Sequence, residues 1–173
     1  MEQLSVGGSE RVATINTSQH AGEYLGFKLG AEEYGIDILK VQEIRGFETP
    51  TRMVSAPGYV LGVLNLRGVI VPILDMRIQF GMTEVTYGSQ TVTIVLNVAD
   101  RVVGMVVDAV SDVVPLLPED IKPAPSLRGE AITQHVIGLA TLTQDNAQRM
   151  LILLDIEQLM RSDGMGLVTT SIQ

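Results

Sequence analysis

Hydrophobic and polar positions alternate with a period of two over most of the chain, the pattern of half-buried strands. Leu25, Phe27 and Leu29 alternate with Gly26 and Lys28, Gly30 to Glu33 supplies a turn, and Tyr34, Ile36 and Ile38 alternate with Gly35 and Asp37. Leu39 to Gly46 continues as strand after a kink, with Val41 and Glu43 on one face and Ile44 on the other. Pro50 and Pro57 punctuate the loop that follows. From Val60 to Met76 the pattern predicts a hairpin: an alternating first arm, an Arg67-Gly68 turn, and a second arm, Val69 to Leu74, apolar enough to be covered on both faces. Pro72 lacks an N–H to donate, so that arm must have an unpaired side there.

Beyond a polar, Gly-bearing stretch from Gly81 to Gln90, the pattern starts again. Val92 to Val98 alternates, Ala99-Asp100 turns, and Val102 to Val107 returns. Residues 34–44 lie over residues 103–113 without a gap, matching Gly35 to Gly104 and Glu43 to Asp112. Val60-Leu61-Gly62-Val63-Leu64 lies over Val136-Ile137-Gly138-Leu139-Ala140, and Ile73-Leu74-Asp75-Met76 over Leu153-Leu154-Asp155-Ile156. The chain therefore holds two copies of one small all-β unit. With about five short strands each, they predict two small barrels, since closure removes exposed edges. Asp75 and Asp155 precede apolar residues at helical spacing and are expected to cap short helices, one near the C-terminus. The expected organisation is a flexible leader over 1–21, a first barrel over 22–82, a second barrel with its helix over 83–161, and a flexible tail over 162–173.

Composition narrows the chemistry. The chain has no cysteine and only two histidines, His20 and His135, which removes thiolate catalysis, disulfides and a histidine-rich metal site. A formal charge of −8 opposes binding to phosphate backbones, so nucleic acid is not an expected partner. Mean hydropathy is high at +0.28, yet stretches such as Met53 to Leu66 are too short to span a bilayer and contain Gly and Pro. The start shows no basic segment followed by an apolar one, and a cytoplasmic protein without membrane insertion is expected. Nucleotide-binding, hydrolase, zinc-protease and calcium-loop motifs are all missing, so no catalytic residue, metal or cofactor is assigned. The surplus apolar surface points to protein partners.

The duplication also sorts residues by role. Gly35 with Gly104, Gly62 with Gly138, and Asp75 with Asp155 occur in both copies and read as requirements of the fold. The Asn65-Leu66-Arg67-Gly68 tip occurs only once, the second copy having the polar Thr143 to Gln148 there. Arg67 is then either a recognition residue or an arginine paired with a surface carboxylate.

Glu33 to Gly46, EYGIDILKVQEIRG, together with Gly62 to Ile73, GVLNLRGVIVPI, resembles the CheW family of bacterial chemotaxis coupling proteins, over about Tyr24 to Met160. The resemblance implies two five-stranded SH3-like barrels related by a pseudo-twofold, in agreement with the repeat. It implies a non-enzymatic adaptor, monomeric when free, that joins the cytoplasmic tips of chemoreceptors to the regulatory domain of the histidine kinase CheA in membrane-associated arrays. Val41, Glu43, Gly62 and Arg67 match family positions tied to receptor binding. Lys122 matches a basic position at a kinase contact, where Ser126 departs from an acidic residue of close relatives. The other kinase contact would fall near Phe47, Arg52, Met53 and Val54. An equivalent adaptor in a surface-motility or biofilm pathway, or a small-ligand protein using the cleft between barrels, are the alternative readings.

Overall fold

The computed structural model describes residues 21–124 and 135–161; His20, Ser126, nearly all of the expected leader and the whole tail lie outside the described residues. Eleven strands run in the order β1 (Gly22–Leu29), β2 (Glu32–Asp37), β3 (Val41–Gly46), β4 (Val60–Leu66), β5 (Val69–Asp75), β6 (Val92–Val98), β7 (Arg101–Val107), β8 (Ala109–Leu116), β9 (Ile121–Lys122), β10 (Val136–Gln144) and β11 (Ala147–Leu154). Helices α1 (Met76–Gln79) and α2 (Ile156–Arg161) follow β5 and β11. The fold is thus all-β, as the alternation predicts, with two SH3-like units, as the resemblance implies. Asp75 accepts from the Arg77 amide at 3.0 Å and Asp155 from the Gln158 amide at 3.1 Å, so both predicted caps hold.

One sheet has the order β3-β6-β7-β5-β4 and the other β8-β1-β2-β11-β10-β9. Substituting each strand by its repeat equivalent turns the first order into the first five strands of the second. The register agrees pair for pair. Ile73 faces Gly104 where Leu153 faces Gly35, and Ile44 faces Ile94 where Val113 faces Leu25. Both outer hairpins carry a bulge at the same place, Val60/Gly62 and Val136/Gly138. Yet each sheet takes its central hairpin from the other half of the chain: β6–β7 sits between β3 and β5, and β1–β2 between β8 and β11. The division between 22–82 and 83–161 is one of sequence pattern, and hydrogen bonding crosses it in both sheets.

The exchanged hairpins explain where the core lies. Their alternate residues, Leu25, Phe27, Leu29, Ile36, Ile94, Leu96, Val98, Val103, Met105 and Val107, form one shared cluster between the sheets, which α2 closes with Leu159 and Met160. Their opposite faces feed two smaller cores, with Tyr24, Leu151 and Leu153 in one unit and Val95, Val106 and Ile73 in the other. Burying each such side chain contributes on the order of 2 kcal/mol, so the shared cluster dominates stability. Pro72 falls where its chemistry allows, since the ladder between β5 and β7 begins one residue later, at Ile73. For the same reason the second hairpin arm is not covered throughout: Val69 and Ile70 extend past β7 and are 50 % and 60 % exposed.

Gly62 and Gly138 mark a close approach of backbones. A Cβ on Gly62 (φ +148°) would lie 2.0 Å from the Thr51 carbonyl oxygen, and one on Gly138 2.7 Å from that of Lys122. Gly62→Ala should therefore cost about 2–4 kcal/mol in chemical denaturation. Gly46→Ala, whose Cβ would meet nothing within 4 Å, serves as the control and should cost less than about 1 kcal/mol.

Candidate functional site: a charged rim and two matching edges

The strand order puts β3 and β4 at opposite edges of one sheet, so a contact between them requires the sheet to curl closed. Such a contact exists. Arg67, at the tip of the β4–β5 turn, donates to Glu43 on β3, and Arg45 approaches the same carboxylate at 3.6 Å. Arg67 adopts φ +52° and Gly68 +91°, a left-handed pair that is costly for a non-glycine residue and turns the guanidinium back toward β3. Asn65 steadies the turn by accepting from the Gly68 amide at 2.8 Å. The hydrogen bond from Arg67 holds the Glu43 carboxyl below the usual carboxylate range.

The Arg67 side chain remains 65 % exposed despite this pairing, so its remaining donors face solvent. Beside it is a shallow hollow of about 170 Å³ lined by Gln42, Leu66, Arg67, Val69, Val71 and Val102. Apolar walls beside a fixed ion pair suit an amphipathic helix better than a small polar ligand. Among the described residues, no group of three or more His, Asp or Glu side chains is placed to hold a metal ion.

The structure therefore brings Glu43 and Arg67 together and separates them from the other two predicted receptor positions. Val41 is half-buried and packs on the shared core. Gly62 is buried beneath Thr51. Gln42 and Val69 line the hollow, although the sequence pattern did not single them out; Gln42 sits at a bulge between Val41 and Glu43 that appears only once β3 pairs with β6.

The predicted kinase positions fall into two places that the repeat relates. Thr51 bridges to Val63 at the outer edge of β4, and Lys122 pairs with Leu139 at the outer edge of β10. Val63 and Leu139 are repeat equivalents, so Thr51 and Lys122 occupy matching positions, each seated by the glycine described above. After Thr51, Arg52 is exposed, Met53 is 52 % exposed and Val54 93 % exposed, an apolar loop tip facing solvent. Phe47 is half-buried, its ring 4.5 Å from that of Tyr87. Lys122 is exposed.

Arg67 is less isolated in the repeat than the sequence suggested. In the second unit Arg149, on β11, donates to Asp112, the equivalent of Glu43, at 3.2 Å and to Glu33 at 3.0 Å. Ser111 donates to Glu33 at 2.7 Å. Both units thus close with an arginine on the same carboxylate position. The difference is exposure: Arg149 is only 17 % exposed, whereas Arg67, paired with Glu43, keeps most of its side chain in solvent.

Two SH3-like units, edge loops bearing exposed apolar residues and a charged rim with no reaction centre assigned define a protein that works through its surface. Comparison with known proteins gives that class a family. A model of the CheW-like domain matches residues 23–164. The chain is 54 % identical over 146 residues to the chemotaxis protein CheW of Klebsiella aerogenes, covering 84 % of this chain and 86 % of that protein. It is 28 % identical over 117 residues to protein FrzA of Myxococcus xanthus, covering 68 % of this chain and 72 % of that one. The crystal structure of the scaffolding protein TtCheW from Thermoanaerobacter tengcongensis superimposes with a TM-score of 0.73 at 27 % identity, covering 86 % of this chain and 98 % of that one. The chain belongs to the CheW family, whose members are chemotaxis adaptors and scaffolds and not enzymes.

The Arg149 cluster yields a pH prediction. Its hydrogen bonds hold Glu33 and Asp112 below their ordinary values of 4.5 and 3.8. Carboxyls depressed in the folded state contribute stability that is present above those values and lost as pH falls through the lower folded ones. Urea midpoints measured from neutral pH down to about pH 3 should fall on the acid side, and Arg149→Gln should flatten that fall. An unchanged acid slope in the variant would exclude the cluster as its source.

Proposed function

We propose that this chain is a cytoplasmic adaptor, monomeric when free, that couples the cytoplasmic tips of chemoreceptors to the regulatory domain of the histidine kinase CheA. The single observation that carries the reading is the Arg67–Glu43 pair, exposed at a rim next to an apolar hollow and built across the two edges of one sheet. A receptor tip is a helical hairpin; its apolar stripe would enter the hollow between Gln42 and Val69, with Arg67 and Glu43 setting register through charge. Val41 and Gly62 act from below, the first by fixing β3 on the core and the second by seating the 51–54 loop.

The kinase would dock on the two matching edges, through Phe47, Arg52, Met53 and Val54 in one unit and Lys122 in the other. An adaptor with two equivalent edges can join partners at both ends, and weak contacts repeated in an array gain strength through multivalency. That arrangement would recruit the chain to membrane-associated receptor arrays. Among the described residues no helix is long and apolar enough to cross a membrane. The likeness to FrzA favours a second reading, the same adaptor role in a different chemosensory pathway, and identification of the kinase that co-purifies with the chain decides between them.

In a reconstituted mixture of receptor, kinase and adaptor, Arg67→Ala should keep the native circular dichroism and bind the isolated kinase domain normally. Receptor-dependent kinase activity should fall about 10-fold or more, as for loss of a central interface residue. Val54→Asp should do the converse, weakening the kinase contact while receptor binding persists. Full receptor-dependent activity with Arg67→Ala would refute the receptor assignment.

A further inference from the structure

Among the described residues, the largest fully buried side chain is charged. Arg77, on α1, is 2 % exposed and donates through Nε and Nη2 to Asp75, both at 2.9 Å, and through Nη1 to the Thr86 carbonyl at 2.7 Å and to Asp108 at 2.8 Å. Asp108, just after β7, also accepts from the Gly30 amide at 2.7 Å, in the β1–β2 turn of the other sheet. The cluster therefore pins together α1, the end of β7 and both sheets. Burial lowers the Arg77 pKa, but its carboxylate partners outweigh this and hold it above its ordinary value.

One arm of the cluster reaches out to Phe47, at the start of the 47–54 segment. Tyr87 donates to Asp75 at 2.6 Å, lies with its ring 4.9 Å from the Arg77 guanidinium, and stacks on Phe47 with centroids 4.5 Å apart at 21°. In the second unit Glu157 occupies the place of Arg77 and reaches Lys40 at 3.3 Å instead. There the segment leading to Lys122 is held locally, Asp120 accepting from the Leu117 amide at 2.8 Å. In the first unit Phe47 is held by its stack on Tyr87 and by its amide's bond to the Thr91 carbonyl, while Arg52 to Val54 are exposed.

We infer that Tyr87 is a positioning residue for kinase docking: anchored on Asp75, its ring props Phe47 and so sets the posture of the 47–54 segment from the junction of the two sheets. This rests on the kinase assignment made above. The contact adds a side-chain tether to the backbone bonds at Phe47 and Thr51, and a segment held in one arrangement binds more tightly because less ordering cost falls on the docking step. Tyr87 itself is 43 % exposed, so the network ends at the surface it organises.

The test compares the full chain with Tyr87→Phe, which keeps the ring stack but loses the bond to Asp75, and Tyr87→Leu, which loses both. Two amides report on the segment in the free protein: Phe47, which donates to Thr91 at 3.1 Å, and Thr51, which donates to Val63 at 2.9 Å. Their hydrogen exchange should accelerate several-fold in Tyr87→Phe and further in Tyr87→Leu, while Ile36 and Met105 at the core stay as slow as before. Affinity for the kinase regulatory domain should fall in the same order, by roughly 5-fold and then more, with affinity for a receptor-tip fragment unchanged. Uniform acceleration of all amides, or wild-type kinase affinity in both variants, would overturn the inference. Absence of kinase binding by the wild-type chain would instead remove the docking assignment, and the exchange measurement would still report whether Tyr87 tethers the segment.

Discussion

The exchange of central hairpins between the two halves of the chain is the constraint on which the rest of the structure depends. Neither half completes a sheet with its own strands in the observed arrangement, because β6–β7 fills one sheet and β1–β2 the other. The four exchanged strands are covered on both faces, by the shared cluster on one side and by a unit's own small core on the other. Separating the units would expose the shared cluster and break ladders in both sheets. The two crossing ion pairs of opposite sense, Arg77 with Asp108 and Glu157 with Lys40, reinforce that junction.

A centre this committed leaves variation to the periphery. The outermost strands β4 and β10 each carry a fragment of chain on their free edge, the Thr51 bridge on one and β9 on the other, which blunts edge-to-edge aggregation. Those fragments are the segments proposed for kinase contact, so on that proposal the device that protects the edge would also present a surface. The rim at Glu43 and Arg67 follows the same logic. An ion pair between two edge elements closes the barrel, and the half of it left in solvent is available for recognition. In the second unit the corresponding cluster is fully engaged with Glu33, Ser111 and Asp112 and is spent on closure.

This division explains why the repeat was a useful but incomplete filter. Gly62 with Gly138, and Asp75 with Asp155, are shared because backbone approach and helix capping are needed twice. Arg67 looked unique in the chain, yet an arginine closes the other unit too, from a position two residues displaced in the repeat, at Arg149 against Val69. Linear comparison misses such equivalence, since a long side chain reaches the same carboxylate from a neighbouring site.

The pattern of residues by itself determined most of the strands, the Arg67-Gly68 and Ala99-Asp100 turns, both helix caps and the duplication, because each depends on chemistry within a few residues of chain. The stretches Glu33 to Gly46 and Gly62 to Ile73 together indicated the family. Only the tertiary structure decided which hairpin enters which sheet, since an apolar face requires a partner without specifying one. It alone placed Glu43 beside Arg67, Thr51 over Gly62, and Phe47 on Tyr87, contacts between residues 11 to 40 positions apart that no local pattern encodes. It also uncovered Val69 and Ile70, whose burial hung on where the neighbouring strand stops, a matter of register and not of hydrophobicity.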